Sequence, residues 1–194
     1  MTPKYPQLYE IVLAKAQLSL AEWLLLENTL EPMAFKKGEF LAKPEETPDA
    51  IYVVIEGIVR NYFTSNNGRE YTKIFRGTGR LVGPYSELLA QTKTKYYIQA
   101  TLDAKVLKFS YSHFKTLMQS SHAWERVGRV IAEENFLEKE KREYMLMHMD
   151  IEEKYNEFLK DFAPFQDEIP QYQVASYLGV SPEALNRFLK KNNK

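Results

Sequence analysis

Residues 171–190 read Gln171-Tyr-Gln-Val-Ala-Ser-Tyr-Leu-Gly-Val-Ser-Pro-Glu-Ala-Leu-Asn-Arg-Phe-Leu-Lys190, and their spacing decides how the chain ends. Val174 and Leu178 fall on one helical face. Ala175 stands where two helices cross closely and only a small side chain fits. Gly179 comes at the break, where a backbone with positive φ favours glycine. Val180 plugs the turn. Ser181-Pro182-Glu183 then supplies an N-cap, a first-turn proline and an early acid. Leu185 and Phe188 return a second helix to the same core. Two helices joined this way form a helix-turn-helix.

The face left over on the second helix carries Ser181, Glu183, Asn186, Arg187, Lys190 and Lys191. Arginine pairs with guanine acceptors, asparagine with adenine, and glutamate with the cytosine amino group. Lysines neutralise phosphates. These six are therefore candidate DNA contacts, against the plainer alternative of a packing element with a solvated basic side. The local charge is polarised. Residues 150–168 hold seven acids and two bases, whereas 170–194 hold one acid and four bases. Pro164 and Pro170 bracket the change.

Upstream, residues 121–149 read as one long helix. Its stripe Ala123, Val127, Val130, Glu134, Leu137, Lys141, Tyr144, His148 alternates steps of four and three, the spacing of a coiled-coil seam. Val127, Val130, Leu137 and Tyr144 are the expected dimer contacts. Glu134 and Lys141 sit on the same stripe, so a helix lying along its own chain is the alternative.

Before that helix the apolar period is two. Residues 51–56, 58–64, 71–75, 96–102 and 105–109 read as strands, punctuated by Gly38, Gly57, Gly77, Gly79 and Gly83. Ser65-Asn66-Asn67-Gly68 predicts a hairpin whose two turn residues, Asn67 and Gly68, both take positive φ. Six to eight short strands predict a jelly-roll or barrel. Residues 5–31 read as short helices, the second started by a Ser19/Glu22 capping box. The expected division is 1–120 for the barrel with its N-terminal helices, 121–149 for the dimerisation helix and 150–194 for the DNA-binding head.

Composition excludes several classes. Of 194 residues none is Cys, so disulfides, thiolate metal sites and a Cys nucleophile are ruled out. Residues 34–110 contain no His, which removes the ligands of a metal-dependent cupin. No phosphate loop and no Gly-x-Ser-x-Gly occurs, so the chain is not expected to be an enzyme, and no cofactor or metal is expected. No run approaches the roughly 18–20 apolar residues that span a bilayer, and no targeting segment is evident. The expected compartment is the cytoplasm, without a membrane partner.

With Lys37-Gly38-Glu39, Ile51-Tyr-Val-Val-Ile-Glu-Gly-Ile-Val-Arg60 and Gly79-Arg-Leu-Val-Gly83 before the long helix and the helix-turn-helix, the chain resembles the Crp/Fnr family of transcription regulators. The resemblance implies an α+β fold. A double-stranded β-helix of the cyclic-nucleotide-binding type would carry flanking helices, followed by a long dimerisation helix and a C-terminal helix-turn-helix. It also implies a homodimer on double-stranded DNA, with a small-molecule effector in the barrel.

Glu183 and Arg187 stand at the family's base-reading positions, while Pro182 and Asn186 depart from the residues common there. The family's β-hairpin wing has no counterpart in the six residues after Phe188, where Lys190, Lys191 and Lys194 are expected to compensate. Members that bind cyclic AMP place Glu after the last barrel glycine and Arg about a dozen residues later. Here Pro84 follows Gly83, and residues 91–97 hold no Arg. The candidate effector pocket is therefore Gly83, Glu87, Lys95, Tyr96 and Tyr97, and cyclic AMP is not its expected ligand. His113, His122 and His148 lie beyond the last strand, which leaves no haem ligand in the barrel. The reading from another class is a dimeric ligand-binding or interaction protein whose degenerate sensor barrel no longer acts on DNA.

Overall fold

The structure, a computed structural model, describes residues 2–192, so the tail residues Asn193 and Lys194 lie outside the described residues. In chain order the elements are α1 (Pro6–Leu13), α2 (Leu20–Glu27), β1 (Glu31–Phe35), β2 (Phe40–Ala42), β3 (Ala50–Glu56), β4 (Val59–Thr64) and β5 (Glu70–Arg76). There follow β6 (Leu81–Val82), α3 (Tyr85–Ala90), β7 (Tyr97–Ala100), β8 (Ala104–Ser110), α4 (Tyr111–Ser120), α5 (His122–His148) and α6 (Ile151–Phe162). The last two helices are α7 (Gln171–Leu178) and α8 (Pro182–Asn192). The fold is α+β. Two four-stranded antiparallel sheets, ordered β1-β8-β3-β6 and β2-β7-β4-β5, form the jelly-roll.

The unbroken apolar run of β3 is explained by burial on both faces. Ile51 and Val53 point outward into a core shared with Leu8, Trp23, Phe114, Trp124 and Val127 of the helices. Ala50, Tyr52 and Val54 point inward, to Ile98 and Val106. Alternate side chains of one strand thus serve two cores. Ser19 caps α2 with the expected capping box. Asp150 opens α6 with a second capping box through Glu153.

Three expectations are corrected. The β4–β5 turn is not of the kind that needs two residues with positive φ. Gly68 has φ +80°, while Asn67 is not among the residues with positive φ. The turn closes instead through Gly68 N to Ser65 O at 2.9 Å and Ser65 N to Arg69 O at 2.9 Å. The extra residue suits an ordinary turn followed by a left-handed glycine. Second, α3 interrupts the strands, ending at Gln91 in the left-handed conformation. Its six residues are too few to show a helical period.

Third, Val127 is 1% exposed inside the chain's own core, so it cannot face a partner. The face of α5 turned to its own chain is Trp124, Val127, Gly128, Ile131 and Met145. The charges on the sequence stripe are used within the chain as well: Glu134 pairs with Lys15, and Lys141 with Glu157 at 2.7 Å. The opposite face exposes Phe136, Leu137, Tyr144 and Met147, with Val130 at its margin.

Candidate nucleic-acid interface

The helix-turn-helix is built as its residue types require. Gly179 ends α7 with φ +69°, and Val180 N donates to Ala175 O at 3.0 Å. A Cβ at Gly179 would lie 2.8 Å from the Leu146 side chain. Ser181 Oγ accepts from Ala184 N at 3.2 Å and caps α8. Val174, Ala175, Leu178 and Leu185 are buried with Phe158 and Ile169, and Phe188 packs edge-on against Tyr155.

Ser181, Glu183, Asn186, Arg187, Lys190 and Lys191 are all exposed. Glu183, Asn186, Arg187, Lys190 and Lys191 make one continuous stripe along α8, with Ser181 at its N-cap. The Glu183 carboxyl lies below the usual carboxylate range. Hydrogen bonds from its own backbone N–H and from Ser181 lower it, with Arg187 and Arg69 adding positive charge nearby. It is therefore an acceptor at neutral pH, as pairing with a cytosine amino group requires.

The head is not a free appendage. Ser176 Oγ accepts from Thr72 N at 2.7 Å and donates to Glu70 O at 2.9 Å, so a side chain on α7 covers the outer edge of β5. Edge strands are commonly covered in this manner. Thr101 donates to Gln173 at 3.1 Å. Arg142 donates to Thr72 O at 3.2 Å and to Tyr177 O. Phe75 of β5 packs against Phe162 at 5.6 Å and Tyr177 at 5.3 Å, so barrel and head share a core. Buried Arg60 stacks on Tyr62 at 4.0 Å and faces Tyr172 at 5.9 Å, with Gln99 and Glu70 as its polar partners. None of these residues was singled out from sequence. The available signal was the polar pair Gln173 and Ser176, one turn apart on a short helix and both turned away from the helix-turn-helix core.

The five candidate pocket residues do not come together. Tyr96 is buried, and its hydroxyl donates to Gly83 O at 3.1 Å. Burial pushes its pKa up, and the neighbouring charge of buried Glu87 adds to this. Gly83, Glu87 and Tyr96 thus form one inward cluster. Lys95 is exposed, and Tyr97 stacks on Tyr62 at 5.0 Å beside Phe40. Successive residues along an extended chain point to opposite sides, which separates Lys95 and Tyr97 from Tyr96.

The cavity against Gly83, Asn61, Arg76 and Asn135 is about 50 Å³, against the roughly 300–1,000 Å³ of small-molecule sites. A wider cleft of about 650 Å³ lies between α1, the turn before β6, α5 and α6. The Arg76–Glu138 pair, at 2.6 Å, and the Lys141–Glu157 pair lie along it. No group of three or more His, Cys, Asp or Glu able to hold a metal occurs among the described residues.

Residues 32–121 match the cyclic nucleotide-binding domain family. Several solved structures share the fold. FixK2 from Bradyrhizobium japonicum is 18% identical with a TM-score of 0.73, over 84% of this chain and 83% of that one. A Crp/Fnr-family regulator from Eubacterium rectale is 19% identical with a TM-score of 0.71, over 90% and 83%. CLP, a c-di-GMP-responsive global regulator from Xanthomonas campestris, is 17% identical with a TM-score of 0.68, over 90% of each chain. A curated relative, a patatin-like phospholipase domain-containing protein of Caenorhabditis elegans, is 34% identical over 67 residues. That match spans 34% of this chain and 5% of the relative.

Proposed function

We propose that this chain, built on a cyclic-nucleotide-binding-type domain with the fold of the Crp/Fnr regulators, is a cytoplasmic transcription regulator that reads duplex DNA as a homodimer. The observation that carries this is the exposed stripe Glu183, Asn186, Arg187, Lys190 and Lys191 on a correctly capped second helix. One helix-turn-helix presents a small surface, and two related by a two-fold axis read half-sites one helical turn apart. The outward apolar face of α5 supplies that pairing. The proposed division remains 1–120, 121–149 and 150–194. No described helix is long and apolar enough to cross a membrane. No enzymatic activity is proposed, because the phospholipase match covers too small a part of that relative to carry one over.

The test separates base reading from phosphate binding. Arg187→Ala is expected to cost about 1–3 kcal/mol on a selected site and to relax preference at one base pair. Lys190→Ala is expected to weaken all duplexes alike and to flatten the salt dependence by about one unit in log–log slope. Fluorescence anisotropy across a salt series reads both. Equal losses for Arg187→Ala on selected and arbitrary DNA refute its base-reading role. If the unmutated protein shows no preference for any duplex over arbitrary DNA, the interaction-protein reading replaces this one.

The barrel is proposed not to bind cyclic AMP. The Tyr96 side chain reaches across to Gly83, and the space beside it holds far less than a nucleotide. Calorimetric titration with cyclic AMP is expected to give no saturable heat. A saturable signal that persists in Tyr96→Phe but vanishes on charge removal at Arg76 would overturn this.

A further inference from the structure

We propose that the turn of the β4–β5 hairpin, Ser65–Arg69, is a second DNA-contacting element of the interface, with Arg69 binding a backbone phosphate beside α8. This rests on the DNA-reading function proposed above and extends the contact surface from the head onto the barrel.

The geometry begins with the sheet edge. β5 is the outermost strand of its sheet, so its outward N–H and C=O groups have no strand partner. Ser176 takes one of each, accepting from Thr72 and donating to Glu70, which a single hydroxyl can do at once. Ser176 lies three residues before Gly179, at the turn into α8. The outer end of the hairpin is thereby held beside that turn. Arg142, tied to both Thr72 O and Tyr177 O, fixes the same junction from α5.

Beyond this latch the turn is closed by its own bonds. Gly68 N donates to Ser65 O, Ser65 N to Arg69 O, and Arg69 N to Asn67 Oδ1 at 3.3 Å. Arg69 follows directly, exposed, its guanidinium 5.2 Å from the Tyr71 ring. Among the described residues it makes no ion pair within 4.0 Å. Its charge is the last of the causes that lower the Glu183 carboxyl in the first turn of α8, in keeping with the placement that the Ser176 and Arg142 hydrogen bonds give the hairpin.

An exposed guanidinium next to a base-reading helix faces the strand that borders the groove. Its planar fork matches a phosphate bidentately. Contacts of this kind fix register without reading sequence. The hairpin thus occupies the flank of the helix-turn-helix, presented by the barrel rather than by the head.

The experiment is an anisotropy titration of the full chain with two labelled duplexes, one selected on the unmutated protein and one arbitrary, from low to high salt. Arg69→Ala is expected to weaken both alike and to reduce the log–log salt slope by about 0.9, one released counterion. Arg69→Lys is expected to keep the slope. Lys115→Ala on α4, a control for lost positive charge, is expected to change neither. Ser176→Ala, which removes two of the hydrogen bonds that hold the hairpin against α7 while Arg69 is intact, is expected to weaken both duplexes as well, by less than Arg69→Ala. An unchanged slope in Arg69→Ala while the unmutated protein binds overturns the inference and leaves the proposed function standing. So does tighter binding by Ser176→Ala, which would mean that the docked hairpin holds the head away from DNA. Loss of all duplex preference in the unmutated protein overturns the function itself.

Discussion

Leu137→Glu is expected to give a folded monomer whose affinity for a selected duplex falls by about 10²–10⁴-fold, the gain normally supplied by linking two binding units. Leu137 is 65% exposed on α5, and Phe136, Tyr144 and Met147 near it are 60%, 58% and 71% exposed. So many large apolar side chains on one helix face leave a patch that soluble monomers rarely show. Burying a leucine of this kind contributes about 1.5–3 kcal/mol, and a two-fold interface counts it twice. Glutamate at 137 would instead meet its own symmetry copy, between Glu133 and Glu140 of the same helix. The inward face of α5 is untouched, so circular dichroism and the thermal midpoint of the monomer should stay close to those of the parent. Sedimentation measures the assembly and anisotropy the binding. If the unmutated chain sediments as a monomer at micromolar concentration and still prefers its selected duplex, pairing through α5 is wrong.

The sequence told the two faces of α5 apart only in part. A stripe stepping by four and three predicted a partner, and Leu137 and Tyr144 remain free for one. Val127 belongs to the other face, where Trp124, Val127 and Ile131 meet the chain's own barrel and N-terminal helices. A long helix apolar on both sides contains two overlapping heptad patterns, and spacing alone does not say which faces home. The helix-turn-helix was more legible because each requirement there is local. A left-handed turn needs Gly179, a close crossing needs Ala175, and a helix start needs Ser181. Five strands of the barrel could be read for the same reason, through alternation, the apolar run of β3 and glycine punctuation, whereas β1, β2 and the two-residue β6 show no such pattern.

What escaped was non-local. Whether Tyr96 fills a pocket or lines it depends on Gly83, thirteen residues away and across the barrel. The docking of the head depends on Ser176 meeting the edge of β5, 104 positions along the chain from Thr72. The polar pair Gln173 and Ser176 marks a face of α7 turned away from the helix-turn-helix core, but not what covers it. Arg60 likewise reads as an exposed strand residue until Tyr62 and Tyr172 are seen to enclose it.

Phe75→Ala is expected to destabilise the whole chain by about 3–5 kcal/mol, the usual cost of truncating a buried phenylalanine. Phe75 is 2% exposed and belongs to a barrel strand, yet its ring lies among Phe158, Phe162 and Tyr177 of the head. Its removal opens a cavity where the two parts share a core. Folded domains have about 5–15 kcal/mol in hand, so the loss is a large fraction of the total. Phe75→Leu keeps most of the apolar volume and should cost less than half as much. Urea denaturation followed by tryptophan fluorescence provides the measurement, since Trp23 and Trp124 both report from the barrel side. A shared core makes the head unfold with the barrel in the parent protein. In Phe75→Ala, hydrogen exchange should show α7 losing protection well before β3 and β8. Two independent transitions in the parent, with the barrel transition unmoved by Phe75→Ala, would mean that the head is only tethered. The fixed placement of the β4–β5 hairpin beside α8 would then lose most of its physical basis, because only the hydrogen bonds of Ser176, Arg142 and the Thr101–Gln173 pair would hold it, worth about 0.5–3 kcal/mol each.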